Sequence, residues 1–305
     1  MPAALSRRSF LALTAGTAAL VAACGSEKPG TVAEDGSVTV KHVFGETKIP
    51  GPPTRVVSAG LTGQDDLLAL GVVPIAVTDW FGGEPFAVWP WAQPKLGGAQ
   101  PVVLSLADGI QVAQIASLNP DLIVATNAGL DADTYARLSE IAPTVAQTGQ
   151  DAFFEPWRDQ ATTIGQAVFK HDDMQALITA VDEQFTATGA DHPQFTGKRA
   201  MLLHGRLDHG QPQPLTPTWR TEFLTQLGFV VADPADDPDS ADVAIWCTES
   251  DEEQAALLAD PGIAARGTRN LFTGKELAGA IAFASPLSYP VVAEQLPPRL
   301  TQALA

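Results

Sequence analysis

The sequence predicts an α/β fold in which two Rossmann-like lobes are joined by one long α-helix and hold a ligand cleft between them. Short apolar runs alternate with helical patterns from residue 55 to residue 146, which is typical of a parallel sheet covered on both faces. The same alternation resumes at residue 199. Between these stretches, residues 157–185 show no strand pattern and carry apolar residues at helical spacing. We therefore expect two lobes and a helical link.

The first lobe begins with a short apolar strand at residues 55–59. Thr62 and Asp65 resemble a capping box and predict the start of the following helix, and Gly71 predicts its end. A second strand is predicted at residues 72–77. The remaining predicted elements of this lobe are helices at 112–118 and 135–141 and strands at 122–125 and near Val145.

The link carries a single apolar stripe, which predicts a long amphipathic helix that ends before Pro193. The stripe consists of Met174, Leu177, Ile178, Val181 and Phe185. The second lobe then shows strands at 199–203, 229–232 and 242–247 and helices at 222–227 and 287–303. Because its middle section is much shorter than that of the first lobe, we expect it to lack one strand and one helix.

The first residues predict export and lipid anchoring. Arg7 and Arg8 precede an apolar run at residues 10–21, and Val-Ala-Ala stands directly before Cys24. This run is shorter than the roughly 20 residues that a membrane-spanning helix needs. The segment Val-Ala-Ala-Cys-Gly resembles the bacterial lipobox, in which the cysteine becomes lipidated. This resemblance implies that a lipid on Cys24 holds the protein at the outer face of the cytoplasmic membrane. The sequence leaves open whether the general or the twin-arginine export route is used.

The domain organisation follows from these elements. It consists of a signal peptide (1–23), a lipid tether with a leading strand (24–47), an N-terminal α/β lobe (48–156), linking helices (157–190) and a C-terminal α/β lobe (191–305).

Composition and missing motifs exclude several classes of function. The chain has 35 acidic and 18 basic residues, a net charge of −17, and such a surface repels nucleic acid. It contains no nucleophile elbow, no phosphate loop and no zinc-protease motif, and its five histidines are scattered. The sequence thus predicts no catalytic residue, no metal site and no cofactor. We expect a monomeric binding protein and not an enzyme.

Large aromatic rings cluster in a loop that follows the second predicted strand. Trp80, Phe81, Phe86, Trp89 and Trp91 are interleaved there with glycine and proline. Open α/β sheets bind ligands at the carboxyl ends of their strands, so the rings could line a cleft. The alternative is that they cap a core. The same strand-end argument makes further ligand-binding candidates of Asn127, Arg206, Trp219, Arg220 and Tyr289.

Four stretches of the chain resemble the class III periplasmic substrate-binding proteins for iron-siderophores, haem and corrinoids. These stretches are residues 48–57, 66–74, 115–123 and 138–144. The resemblance implies two lobes with a rigid connecting helix. It also implies that the protein captures an iron chelate, either an iron(III)-siderophore or haem, and delivers it to an ABC permease.

Two expected features of that family are not evident in the sequence. Members commonly present one glutamate per lobe to the permease, yet the first position corresponds to about Ala113 and the second falls in the shortened section. Residues 97–100 lack the tyrosine that often ligates haem, so Tyr289 or a histidine would have to replace it. An alternative function therefore stays open, namely a surface binding or assembly factor that does not dock a typical permease.

Overall fold

The computed structural model describes residues 28–233 and 235–305. The predicted signal peptide and Cys24 lie outside the described residues. The chain first forms an antiparallel hairpin of strands β1 (Val38–His42) and β2 (Gly45–Ile49). None of the helices in the described part has both the length and the hydropathy that crossing a bilayer requires.

The N-terminal lobe is built on a five-stranded parallel sheet in the order β5-β4-β3-β6-β7. Its strands are β3 (Val56–Ser58), β4 (Ala76–Thr78), β5 (Val102–Leu104), β6 (Leu122–Ala125) and β7 (Thr144–Ala146), and its helices are α1 (Gly63–Ala69), α2 (Val112–Ser117) and α3 (Ala132–Ser139). The second strand begins later than predicted because the Val72 amide is used to end α1, donating to the Leu67 carbonyl across Gly71.

Two helices form the link between the lobes, α4 (Trp157–Ala167) and α5 (His171–Asp191). The sequence pattern did not reveal the break between them. There Phe169 adopts a positive φ of 62°, and the Lys170 amide donates to the Gly165 carbonyl at 2.8 Å, which ends α4 as a glycine commonly would. The long helix α5 carries the predicted stripe on its buried face and ends before Pro193, as expected.

The C-terminal lobe contains a parallel sheet in the order β10-β8-β11-β12, and β9 pairs antiparallel with β8. Its strands are β8 (Arg199–Asp208), β9 (Gln211–Pro214), β10 (Val230–Val231), β11 (Val243–Cys247) and β12 (Asn270–Phe272). Its helices are α6 (Glu222–Gln226), α7 (Asp251–Leu258), α8 (Pro261–Ala265), α9 (Lys275–Phe283) and α10 (Tyr289–Ala303). In the described residues only a 3₁₀ turn connects β10 to β11, which confirms that this lobe is abbreviated.

One hydrophobic core extends through both lobes. Val124 of β6, Ile164 of α4, Phe185 of α5 and Ile245 of β11 belong to the same buried cluster. Because α4 and α5 are packed within this cluster, the lobes are joined by buried side chains as well as by the chain itself.

Candidate ligand site between the lobes

Loops that follow the N-terminal strands contact the C-terminal lobe directly. The ring centroids of Trp80, after β4, and Phe283, at the end of α9, are 5.8 Å apart. After β7, the Phe154 carbonyl accepts a hydrogen bond of 2.8 Å from the indole N–H of Trp219. The strand ends of the first lobe and helices of the second therefore enclose a common region, as is usual for ligand sites in α/β proteins.

Phe283 is the centre of an aromatic cluster. Four predicted rings lie around it with centroid distances of 5.8 to 6.2 Å: Trp80, Phe81, Trp89 and Trp91. The sequence prediction missed Phe283 because α9, an apolar helix of the second lobe, was itself not predicted. Its ring brings the aromatic loop of one lobe into contact with the other.

The four loop rings that surround Phe283 are not equivalent. Trp89 is 1% exposed and lies between two glycines, since a Cβ atom at Gly82 or Gly279 would stand 2.5 Å from its indole. Trp91 stacks on it, with centroids 5.0 Å apart and planes within 9°. For Trp89 the structure agrees with the core-capping alternative, because the ring is wedged between the lobes. Trp80 and Phe81 are half-buried and retain surface that a ligand could contact.

Phe154 contacts several of the other candidate ligand-binding residues. Its ring lies 5.6 Å from that of Trp80, and the Arg220 guanidinium stands 4.7 Å above it. Its amide donates to Asn127 Oδ1 at 2.9 Å, and its carbonyl accepts from Trp219. Asn127 is buried, and its Nδ2 donates to Thr62 inside the N-terminal lobe. The Asn127 side chain therefore holds the Phe154 loop in place, since its oxygen accepts from Phe154 and its nitrogen donates to Thr62.

Arg220 is a buried cation with very few partners. It is 5% exposed, and its one hydrogen bond is a long contact of 3.4 Å from Nη1 to the Thr216 carbonyl. Its Nε has no partner, and no carboxylate within the described residues forms an ion pair with it. Burial lowers the pKa of this guanidinium. An uncompensated buried charge is costly, so this position favours an anion.

A second cation, Arg206, and the imidazole of His204 lie close to Arg220. His204 and Arg206 are two residues apart on β8 and therefore project from the same face. Desolvation and the charges of Arg220 and Arg206 lower the pKa of His204. Gly205 lets this segment approach β11 closely, because a Cβ atom there would stand 2.3 Å from the Cys247 carbonyl oxygen. Arg206 itself is exposed.

Tyr289 is not placed at the surface of the site. It is 3% exposed, and its ring packs edge-on against Trp157 at 5.2 Å and Phe185 at 5.5 Å. Burial raises the pKa of its hydroxyl. The strand-end argument placed it among ligand contacts, but Tyr289 is the first residue of α10 and its ring forms part of the shared core.

Asp65 is a residue of this region that the sequence prediction misinterpreted. The expected capping box is wrong, since neither side chain caps α1. Asp65 Oδ2 instead accepts hydrogen bonds from Trp91 Nε1 at 2.8 Å and from Ser285 Oγ at 2.7 Å. Burial raises the pKa of Asp65 to about 6. The pattern Thr-x-x-Asp fits a cap as well as a buried carboxylate, so the sequence alone could not distinguish them.

The described residues contain no group of three or more His, Cys, Asp or Glu side chains that could hold a metal ion. Cys247 is a poor ligand, because burial raises the pKa of its thiol to about 12.

Comparisons with known proteins identify relatives of this fold. Residues 56–254 match the model of a family described as periplasmic binding protein. YhfQ of Bacillus subtilis, named provisionally as an ABC transporter substrate-binding lipoprotein, is 32% identical over 210 residues, which cover 69% of this chain and 63% of YhfQ. YfiY of the same organism, named as a probable siderophore-binding lipoprotein, is 30% identical over 215 residues with the same coverage. The chain thus spans less than two thirds of these relatives' own length.

A solved structure agrees over almost the whole chain. The crystal structure of a periplasmic solute binding protein from Mycobacterium smegmatis has a TM-score of 0.86 and 66% sequence identity. The alignment covers 89% of this chain and 100% of that one.

Proposed function

This chain belongs to the periplasmic binding protein family, and from that premise we propose that it captures an iron(III)-siderophore between its lobes for delivery to an ABC permease. Members of this family bind substrates and do not convert them. A relative named as a siderophore-binding lipoprotein supports the class of ligand.

The unpaired cation Arg220 is the observation that carries this proposal. The protein has a net charge of −17, yet no carboxylate of residues 28–233 and 235–305 pairs with this buried guanidinium, and an unpaired buried charge is destabilising. An anionic ligand in the cleft supplies the missing charge and hydrogen bonds, and Arg206 adds a second cation nearby. Ferric chelates with carboxylate or catecholate arms carry such negative charge.

The aromatic rings suit the organic part of a chelate. Trp80, Phe81 and Phe154 are half-buried beside Arg220 and offer flat apolar surface. Iron would arrive inside its own chelator, because the described residues offer no metal-binding cluster. The site suits haem less well, because a tyrosine to ligate its iron is missing: Tyr289 packs in the core and residues 97–100 contain no tyrosine. The imidazole of His204, beside Arg220, would then be a candidate axial ligand.

The lipid anchor is part of the proposal. Both B. subtilis relatives are named as lipoproteins, and the lipobox-like segment before Cys24 fits that assignment. Replacing Cys24 by alanine should release the protein from the membrane fraction or leave its precursor unprocessed. Normal processing with full membrane retention of the variant would exclude Cys24 as the anchor.

A second candidate is a surface binding factor that does not dock a permease. It is favoured by the abbreviated C-terminal lobe, where the described residues of the connection from β10 to β11 form only a 3₁₀ turn and no α-helix that could present a docking glutamate. Ligand binding that leaves the ATPase activity of the reconstituted permease unchanged would support this candidate over the importer.

Tryptophan fluorescence provides the test of ligand class. The purified protein is titrated with ferric citrate, an anionic ferric tricatecholate, neutral ferrichrome and haemin, each at low and high salt. We expect saturable 1:1 quenching by an anionic ferric siderophore, weakened by salt, with the iron-free chelator binding less tightly. No saturable binding of any ferric chelate, or binding of haemin alone, would overturn the proposal.

A further inference from the structure

The segment that precedes β1 is folded against the protein. Residues 28–31 form a turn in which the Thr31 amide and hydroxyl both donate to the Lys28 carbonyl, at 3.1 and 2.7 Å. A second turn follows, closed by the Ala33 amide, which donates to the Ser37 carbonyl at 2.8 Å. The described chain therefore runs in hydrogen-bonded turns from Lys28 to β1.

Gly30 is the contact between this segment and the link that joins the lobes. Its φ is +74°, and a Cβ atom added there would stand 2.4 Å from the Cβ atom of His171, the first residue of α5. The backbone at Gly30 therefore lies directly on the His171 side chain, an approach that glycine permits. Gly36 is a useful contrast, because its φ is a similar +80° but the space around it is open.

The chain between Cys24 and this contact is short. Only residues 25–27 separate Cys24 from Lys28. Because an extended chain spans at most about 3.5 Å per residue, Lys28 lies within about 14 Å of Cys24. If the turns were undone, the same estimate for Ser37 would be about 45 Å. A lipid on Cys24 therefore brings the N-terminal end of α5 close to the bilayer.

A polar cavity of about 530 Å³ opens beside this contact, between residues 28–31, the β1–β2 hairpin and α4. Lys28 and Lys41 line it, and neither forms an ion pair with any residue that the structure describes. One acidic side chain, Glu46, lines it as well. In a chain of net charge −17, this surface thus offers two ammonium groups to the phosphates of a membrane.

The side of α5 has the opposite character. Its 21 residues include neither lysine nor arginine and carry five acidic side chains: Asp172, Asp173, Asp182, Glu183 and Asp191. Two of these are paired from outside the helix, Asp173 by Lys170 at 3.6 Å and Asp182 by Arg158. An anionic membrane repels such a surface, so the helix suits a bilayer with its N-terminal end and not with its side.

We propose that residues 28–31, Lys41 and the start of α5 form one face that lies on anionic phospholipid headgroups, so that the anchored protein stands on the N-terminal end of α5. The inference rests on the lipid-modified Cys24 of the proposed function and adds the orientation that this anchor imposes. The C-terminal lobe then lies away from the bilayer, because α5 is about 31 Å long and its far end, at Gly189, packs on the Gln226 backbone of that lobe.

Quenching of site-specific labels measures this orientation. The full-length lipoprotein is reconstituted into vesicles of phosphatidylcholine and phosphatidylglycerol that contain a lipid with a spin-labelled headgroup. Thr39→Cys places a fluorophore at an exposed position beside the cavity, and Thr186→Cys places it at an exposed position about 22 Å along α5 from His171. The parent chain corrects for labelling of Cys247. We expect severalfold stronger quenching at position 39, and equal quenching or stronger quenching at position 186 would overturn the proposal.

Matched glycine variants test whether the Gly30 contact sets the orientation. Gly30→Ala pushes a methyl group against His171 and should release the segment, so that position 39 loses most of its excess quenching. Gly36→Ala imposes similar backbone strain in open space, beyond the contact as seen from Cys24, and should preserve the excess. The NMR signals of the His171 imidazole show the release without any lipid. Released protein that keeps its full orientation would contradict a role for this contact.

Charge variants test the contact with headgroups. Lys28→Glu combined with Lys41→Glu should reduce quenching at position 39, and this reduction should vanish on vesicles of phosphatidylcholine alone. Lys198→Glu, at an exposed position before β8, is the control and should change neither label. A double variant that is quenched like its parent on anionic vesicles would refute the proposed contact between the two lysines and the headgroups.

The same preparation distinguishes failure of this inference from failure of the proposed anchor. Protein with an intact Cys24 that does not remain on the vesicles would refute the anchor, and the orientation with it. Protein that remains on the vesicles but is quenched equally at positions 39 and 186 would leave the anchor in place and refute the orientation alone.

Discussion

The N-terminal lobe meets the cleft with aromatic rings and with an amide whose polar atoms are bonded inside the protein, whereas the C-terminal lobe meets it with cations that have few partners. Asn127 illustrates the first kind, since both ends of its amide are engaged. Arg220 illustrates the second, with a single long hydrogen bond. The N-terminal side is thus complete without a ligand, while the C-terminal side is electrostatically incomplete.

The N-terminal lobe would therefore recognise the shape of a ligand, and the C-terminal lobe would recognise its charge. Rings held by buried contacts offer a fixed surface at little cost in conformational entropy. A buried unpaired guanidinium instead destabilises the ligand-free protein. Its favourable interaction with an anion contributes only when the ligand is bound. Variants on the two sides should therefore differ in how they change the free energy of unfolding and the ligand affinity, and both quantities can be measured.

The largest effect is expected for Trp89→Ala on the N-terminal side. Removing this fully buried ring leaves a cavity between the lobes, and truncations of this kind cost about 3–5 kcal/mol of unfolding free energy. Trp80→Ala is the matched variant, because its half-buried ring should affect ligand affinity more than stability. Urea denaturation and ligand titration of both variants measure the difference. A stable Trp89→Ala protein that no longer binds the chelate would show that Trp89 contacts ligand instead.

Gly279→Ala tests the contact between Trp89 and the C-terminal lobe from the side of that lobe. In most helix interiors this change stabilises a protein by roughly 1 kcal/mol. Here the new methyl group would stand 2.5 Å from the Trp89 indole, so we expect a loss of stability that Trp89→Leu in the same chain largely reverses.

Arg220→Met should have a smaller effect, and it should lower ligand affinity while raising the stability of the ligand-free protein. Losing a charged hydrogen-bond donor should weaken binding of an anionic chelate by about 1.5–3 kcal/mol, roughly a 10- to 150-fold loss in affinity. The ligand-free protein should become more stable, because an unpaired buried charge is removed. Arg269→Met, at an exposed position in the turn before β12, is the control and should change neither quantity. A destabilised ligand-free Arg220→Met protein would mean that the guanidinium has a structural role.

The sequence predicted the parts of this fold that depend on local pattern. The stripe from Met174 to Phe185 and the strand at 122–125 are both present because their burial is encoded in residue spacing. The break at Phe169 was missed since a non-glycine residue with positive φ leaves no compositional signal. β12 and α9 were missed because a short apolar run is ambiguous between strand and helix.

The site was predictable in its residues and not in its geometry. Rings and cations at strand ends were found from the sequence. Nothing local indicates that Trp89 would be wedged against Gly279, or that no carboxylate of the described residues would pair with Arg220. Asp65 shows the limit most clearly. Its partner Ser285 is 220 positions away, so its role depends on how the two lobes meet.

The smallest expected effect concerns the ion pair that connects the lobes beside the rings. Lys275 Nζ lies 2.6 Å from Glu84 Oε1, with side chains 46% and 14% exposed. Because water screens the lysine, Glu84→Gln should cost only about 0.2–1 kcal/mol of stability, and less at high salt. The variant also frees a cation near the cleft, so an anionic chelate should bind slightly more tightly. Asp35→Asn breaks the exposed pair with Lys48 far from the site and should leave affinity unchanged. Weaker chelate binding by Glu84→Gln would show that the pair holds the aromatic loop in place and that the charge of Lys275 is not available to a ligand.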